Sequence, residues 1–173
     1  MNKLVMLGVC LLGITLRAAE TNEVKTAANE ADSGRKDRIA QMASFIKKCG
    51  LEYEIKDGSD FIRVEFSFPC GRSQIVYVDS EVYDYGGYKT IHIGSPAYRG
   101  QVTKAMLMDL LTQNPKVGFW HAGINQQNEY DLQVEFAVQI PADIMPEDFK
   151  TLCDLTASEA DRMEARWTDR DDF

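Results

Sequence analysis

The chain is short of the residues on which most enzymatic chemistry depends. It holds 2 histidines, His92 and His121, and 4 cysteines in 173 residues. No HExxH pair, no serine nucleophile elbow and no glycine-rich phosphate loop occurs in it. These absences exclude the common zinc hydrolases, the α/β-hydrolase arrangement and the nucleotide-cradling turn. Positive charge is also scarce. Lys and Arg number 19 against 27 Asp and Glu, a formal net charge of −8. An acidic surface repels phosphate backbones and no basic stripe offsets it, so no nucleic-acid partner is expected. The cysteines fit no zinc spacing and are too few for a disulfide scaffold. The expectation is therefore no metal, no cofactor and no catalytic residue.

The longest apolar run, Leu4 to Leu16, has 13 residues. A helix needs about 20 to cross a bilayer, whereas a signal h-region is this long. Lys3 supplies a small basic region before it, and Ala18-Ala19 the small residue before a cleavage site. Residues 1–19 are read as a signal peptide, with an uncleaved anchor as the alternative. This predicts a periplasmic or secreted bacterial protein with no stable membrane insertion after cleavage. Residues 20–35 are polar and small, with Val24 the one large apolar side chain. Such a segment cannot bury enough surface to offset its ordering entropy, and reads as a flexible linker.

A folded domain is expected over 36–168, followed by a charged tail, 169–173. Ile39, Met42, Ala43 and Ile46 recur at helical spacing, and Gly50 ends that helix. Leu51–Ile55 reads as a short strand. In Phe61–Phe68, Ile62, Val64, Phe66 and Phe68 alternate with polar residues, the mark of a half-buried strand. Gln74–Asp79 starts a strand that runs on to Tyr85, turns at Gly86-Gly87 and returns through Tyr88–Ile93. Val102, Ala105, Met106, Leu107, Leu110 and Leu111 form a wide apolar stripe, predicting a buried helix over Gln101–Gln113. Val117–Ile124 and Tyr130–Ile140 are strands; in the second, Leu132, Val134, Phe136, Val138 and Ile140 share one face. Pro146 opens a last helix, with Phe149, Leu152, Cys153, Thr156, Ala160, Met163 and Trp167 on one stripe. The order is α-β-β-β-β-α-β-β-α. The fold class is α+β, an antiparallel sheet with helices mainly on one face.

Gly71-Arg72-Ser73-Gln74-Ile75-Val76-Tyr77-Val78 resembles the hairpin of the YbjN-like family, labelled as sensory-transduction regulators. Ser95-Pro96 before the second helix, the Leu110-Leu111 pair with Asn114, and Ile140-Pro141 leading to Pro146-Glu147 and Glu159-Ala160-Asp161 agree in order. The resemblance covers about residues 36–167. It implies a fold similar to class I type III secretion chaperones, small acidic proteins that are usually dimeric and bind extended protein segments. It supplies no catalytic residues. A homodimer is expected by that similarity alone.

A two-residue turn at Gly86-Gly87 pairs Tyr85 with Tyr88, Tyr83 with Thr90 and Glu81 with His92. These six residues and Tyr77 then share the outer face of the sheet, while Val76, Val78, Val82, Ile91 and Ile93 face the core. Tyrosine joins large contact area to a polar tip, so this is the candidate protein-binding face. Tyrosine also suits strands for packing alone. Cys49 and Cys70 flank neighbouring strand ends. A disulfide between them is one state the pairing permits, and two reduced thiols is the other. Asp79, Glu81 and Asp84 do not match a calcium loop and read as solvated acids. The expected function is a non-enzymatic exported protein-binding or chaperone-like module. The alternative is a small enzyme using Cys70 or Cys153 with His92 or His121.

Overall fold

The computed structural model describes residues 32–113, 115, 117–124, 132–168 and 170–173. The signal peptide expected over 1–19 and most of the expected linker lie outside the described residues. The chain divides into two units at Arg38/Ile39. In the first, residues 32–38 are helical and belong to α1, whose described part is residues 32–48. Asp32 pairs with Arg35 at 3.0 Å and Lys36 at 2.6 Å, the spacings at which neighbours on a helix surface meet. Helix thus extends into the segment expected as linker, whose last residues carry these paired charges.

The second unit is built on one sheet. Its strands are β1 Glu54–Ile55, β2 Phe61–Ser67, β3 Ser73–Tyr85, β4 Tyr88–Gly100, β5 Phe119–Ile124 and β6 Leu132–Pro141. Helices α2 Lys104–Thr112 and α3 Pro146–Trp167 complete it. The strand order is β1-β2-β3-β4-β6-β5, and each neighbouring pair is antiparallel. The expected α+β class and element order hold.

The core lies on one face of this sheet. Met42, Ala43 and Ile46 of α1 and Phe149, Cys153, Ala157, Ala160 and Met163 of α3 bury against Ile62, Val64, Val76, Val78, Ile93, Phe136 and Ile140. Phe45 and Phe149 meet edge-to-face at 5.0 Å. These are the periodic residues of each element, which is why the helices settle there. No helix among the described residues is long and apolar enough to cross a membrane.

Several elements differ from expectation. β4 runs on through Ser95-Pro96, which were expected to lead into a helix. Pro96 sits at an irregularity in the β4–β6 ladder, where a strand tolerates a missing N–H. Nearby, side chains bond across β3 and β4: Gln74 Nε2 donates to the Pro96 carbonyl at 3.0 Å and Ser95 Oγ to the Ile75 carbonyl at 2.7 Å. Helix α2 is capped by Thr103, which accepts from the Met106 N–H. It is not a buried helix: none of its residues is fully buried, and Leu111 is 80% exposed. Leu110 packs against the core, and Asp109 binds Trp167 Nε1 at 3.1 Å and Arg166 at 2.9 Å. The stripe announces a helix without saying what covers it.

The charged tail is docked. Arg72, in the β2–β3 turn, pairs with Asp161 at 2.5 Å and with the fully buried Glu164 at 3.0 Å, and donates to the Arg170 carbonyl. Glu164 also accepts from the Asp172 N–H at 2.7 Å, and the Ser73 N–H donates to Asp171 at 3.1 Å. The Arg99 guanidinium stands 5.7 Å from the Phe173 ring.

Candidate functional site

The sheet face turned away from α1 and α3 carries the alternate residues of the same strands. Cross-strand pairing sets Phe61 beside Asp79, Tyr77 beside Gly94, and Tyr83 beside Thr90. On the far side of β4, His92 lies beside Gln139 and Gly94 beside Ala137. These rows enclose a cavity of about 350 Å³ lined by Phe61, Tyr77, Asp79, Tyr83, His92, Gly94, Gln133 and Glu135.

Gly94 creates the hollow. A Cβ there would stand 3.6 Å from the Glu135 carboxyl and 3.6 Å from the His92 ring, in ordinary contact. The hollow therefore follows from a missing side chain on an otherwise continuous strand. Phe61 and Tyr77 meet edge-to-face at 6.4 Å, and Tyr83 stacks on Tyr85 at 6.4 Å.

Asp79 is only 5% exposed. Its carboxylate accepts from the Tyr83 hydroxyl at 2.6 Å and from the Glu81 N–H at 2.9 Å. That hydrogen bond, followed by burial, pushes the Tyr83 phenol up to about 12. No cationic side chain among the described residues pairs with Asp79. Glu135 meets the His121 ring at 3.3 Å. The one trio of candidate metal-ligand side chains among the described residues is Asp161, Glu164 and Asp171, mutually within 4.8 Å, and Arg72 already supplies its positive charge.

Of the expected binding face, Tyr77, Tyr83 and His92 line the cavity, with Thr90 beside Tyr83. The Thr90 hydroxyl is buried with no partner among the described residues. Tyr85 and Tyr88 face each other at the hairpin tip, as the turn predicts, 55% and 78% exposed. Glu81 does not face His92 alone. The register shifts between Val78 and Val82, so Asp79, Ser80 and Glu81 together face one residue of β4. Val82, expected in the core, is 43% exposed. Pairing with β2 ends at Asp79, so this part of the hairpin has no neighbour there. Asp79 is buried and hydrogen-bonded, against the solvated reading. Asp84 instead accepts from the Gly87 N–H at 2.7 Å and fixes the turn.

Sequence reasoning missed Phe61, Asp79, Gly94, Gln133 and Glu135 as site residues. Strand alternation places them on the outer face, but only the cross-strand register brings them together. The disulfide is not formed: Cys49, Cys70 and Cys153 are free thiols. Cys49 is buried and its Sγ donates to the Phe45 carbonyl at 3.2 Å, while Cys70 is exposed in the β2–β3 turn. Only two residues of β1 join the ladder, so the strand end expected to carry Cys49 toward Cys70 does not exist. Burial pushes the Cys49 and Cys153 thiols up. Cys153 belongs to the core face, with the sheet between it and both histidines. Cys70 precedes β3, whereas His92 stands opposite its middle, between Val78 and Val82. The structure assembles no Cys–His pair among the described residues.

No family model, no curated protein and no solved structure matches the chain.

Proposed function

We propose that this chain is a non-enzymatic, exported protein-binding module of the YbjN-like kind, whose partner seats on the open face of the sheet. The observation that carries this reading is the asymmetry of the sheet. Its inner face buries apolar residues under α1 and α3, while its outer face holds a shaped hollow edged by Phe61 and keeps Tyr85 and Tyr88 in solvent at the hairpin tip. Large aromatic side chains held on a rigid sheet supply contact area at low ordering cost. The signal-like N-terminus supports a periplasmic or extracellular setting.

Affinity capture from the native cell envelope tests it, with the Tyr85→Ser/Tyr88→Ser double variant as control. Tyr83 is left intact because it holds Asp79. A partner retained by the native protein and lost by the folded variant is expected. Equal capture by both proteins would remove the hairpin from the binding face. N-terminal sequencing of the native protein is expected to begin near Ala19 or Glu20.

A further inference from the structure

We propose that the hollow over Gly94 receives a cationic side chain, arginine before lysine, from the protein partner. The inference rests on the protein-binding reading above and names what that face recognises. Two carboxylates stand in the wall of the cavity, Asp79 and Glu135. Asp79 is almost fully buried, yet both groups that bond it are neutral donors, the Tyr83 hydroxyl and the Glu81 N–H. A buried carboxylate without a cation is costly, and natural sites relieve that cost by pairing. The hollow opens onto the solvent face, where an incoming cation can supply the pair.

Geometry selects the kind of cation. Asp79 lies on β3 and Glu135 on β6, with β4 between them. Strands spaced about 4.8 Å apart put about 10 Å between those two backbones, and the register adds an offset along them, with Asp79 in the row of His92 and Glu135 in that of Pro96. The ligand atoms of Asp79, His92 and Glu135 do not converge within the 4.8 Å that one metal ion needs. A wider, organic cation bridges such walls. Phe61, Tyr77 and Tyr83 add three aromatic rings to the lining, and ring faces attract guanidinium and ammonium groups. Arginine is preferred because its planar guanidinium is weakly hydrated, stacks on rings and presents a fork to carboxylates. Gln133 and His92 provide further polar edges.

Isotope-labelled protein titrated with N-acetylated, C-amidated Gly-Arg-Gly tests this, read by the backbone amide signals of His92 and Gly94. Saturable shifts are expected with a dissociation constant of about 1 mM, the scale for a single anchoring side chain. The lysine peptide is expected to bind more weakly. The citrulline peptide, equal in shape and without charge, is expected to bind at least about tenfold more weakly still. Gly94→Val fills the hollow and is expected to abolish the shifts. Glu135→Gln, which keeps the side chain's shape and leaves the backbone alone, is expected to weaken binding about tenfold. Equal binding of the citrulline peptide would overturn the inference. Choline binding as tightly as the arginine peptide would also overturn it, by making this a small-molecule site. If no peptide binds while the Tyr85→Ser/Tyr88→Ser variant still loses its partner, the arginine assignment falls and the face assignment stands. If no peptide binds and capture is unaffected, both fall.

Discussion

His92 and Ile93 are neighbours in β4, and a single step along the strand separates two different environments. Ile93 is fully buried beneath the helices, whereas His92 lines an open hollow beside Tyr77 and Tyr83. The inner face can be explained by folding alone: each of its side chains leaves water for an apolar contact. The outer face cannot. Folding does not call for a buried aspartate with no cation among the described residues, or for two tyrosines at an exposed hairpin tip. Residues of that kind on a face that no described helix covers are where function is sought.

The comparison breaks first on the inner face. Phe149 is fully buried in α3 and packs edge-to-face on Phe45. Phe149→Ala removes that contact and leaves a cavity, with an expected loss of about 3–5 kcal/mol in urea unfolding. A loss below about 1 kcal/mol would mean that the helices do not cover the sheet as described.

The next effect concerns Arg72, which joins the β2–β3 turn to α3 and the tail. Arg72→Leu leaves Glu164 buried without its cation. The expected loss is about 2–3 kcal/mol, below that of a fully buried pair because Arg72 is partly exposed. Burial pushes the Glu164 carboxyl up, while the Asp172 N–H and Arg72 pull it down. A carboxyl raised in the folded state holds its proton more firmly there than in the unfolded chain. Its contribution is fully present below the ordinary value of 4.5 and is lost as pH rises through the folded value. Removing Arg72 raises that value further. The gap in urea midpoint between native and variant is therefore expected to narrow from about pH 7 to about pH 4. A gap independent of pH would show that Glu164 is not the group left unpaired.

On the outer face the effects shrink. Tyr83→Phe takes one donor from Asp79, and a buried acceptor that loses a partner costs about 1–2 kcal/mol. The same variant removes the phenol that titrates near 12, so the highest step in the tyrosine absorbance titration is expected to vanish. A step that survives would place the proton elsewhere.

How much of this was legible in the sequence depended on range. Period-two alternation in Tyr130–Ile140 gave the inner residues of β6, and helical spacing gave those of α1 and α3, because both patterns are set by local geometry. The Gly86-Gly87 turn gave the Tyr85–Tyr88 pairing for the same reason. It gave Tyr83–Thr90 as well, but register beyond Val82 was not legible. The irregularity between Val78 and Val82 removes the Glu81–His92 pairing, and nothing in the residue types announces it. Gly94 reads as an ordinary strand glycine until Tyr77 and Ala137 are placed on either side. Arg72 and Asp161 are 89 positions apart, so the docking of the tail was beyond any local pattern. The exposure of α2 was hidden too, since an apolar stripe is written the same way whether covered or open.

The smallest effect is expected at Tyr88, and it sharpens the contrast between the faces most directly. Gly86 and Gly87 both have positive φ, 66° and 96°, the conformation a two-residue hairpin turn of this kind requires. The Asp84 carboxylate accepts from the Gly87 N–H and holds that turn from inside. The hairpin is thus fixed by two glycines and an aspartate, and the Tyr88 ring, 78% exposed, has little part in it. Tyr88→Ser is expected to shift unfolding by less than about 0.5 kcal/mol, as surface substitutions do. Its counterpart Gly87→Ala, placed where an L side chain is strained, is expected to cost about 1 kcal/mol or more. If Tyr88→Ser instead costs more than about 1 kcal/mol, the ring packs on its neighbours for stability. Its size at the tip would then need no partner to explain it. If it costs nothing measurable and still weakens partner capture, the side chain serves binding and not the fold.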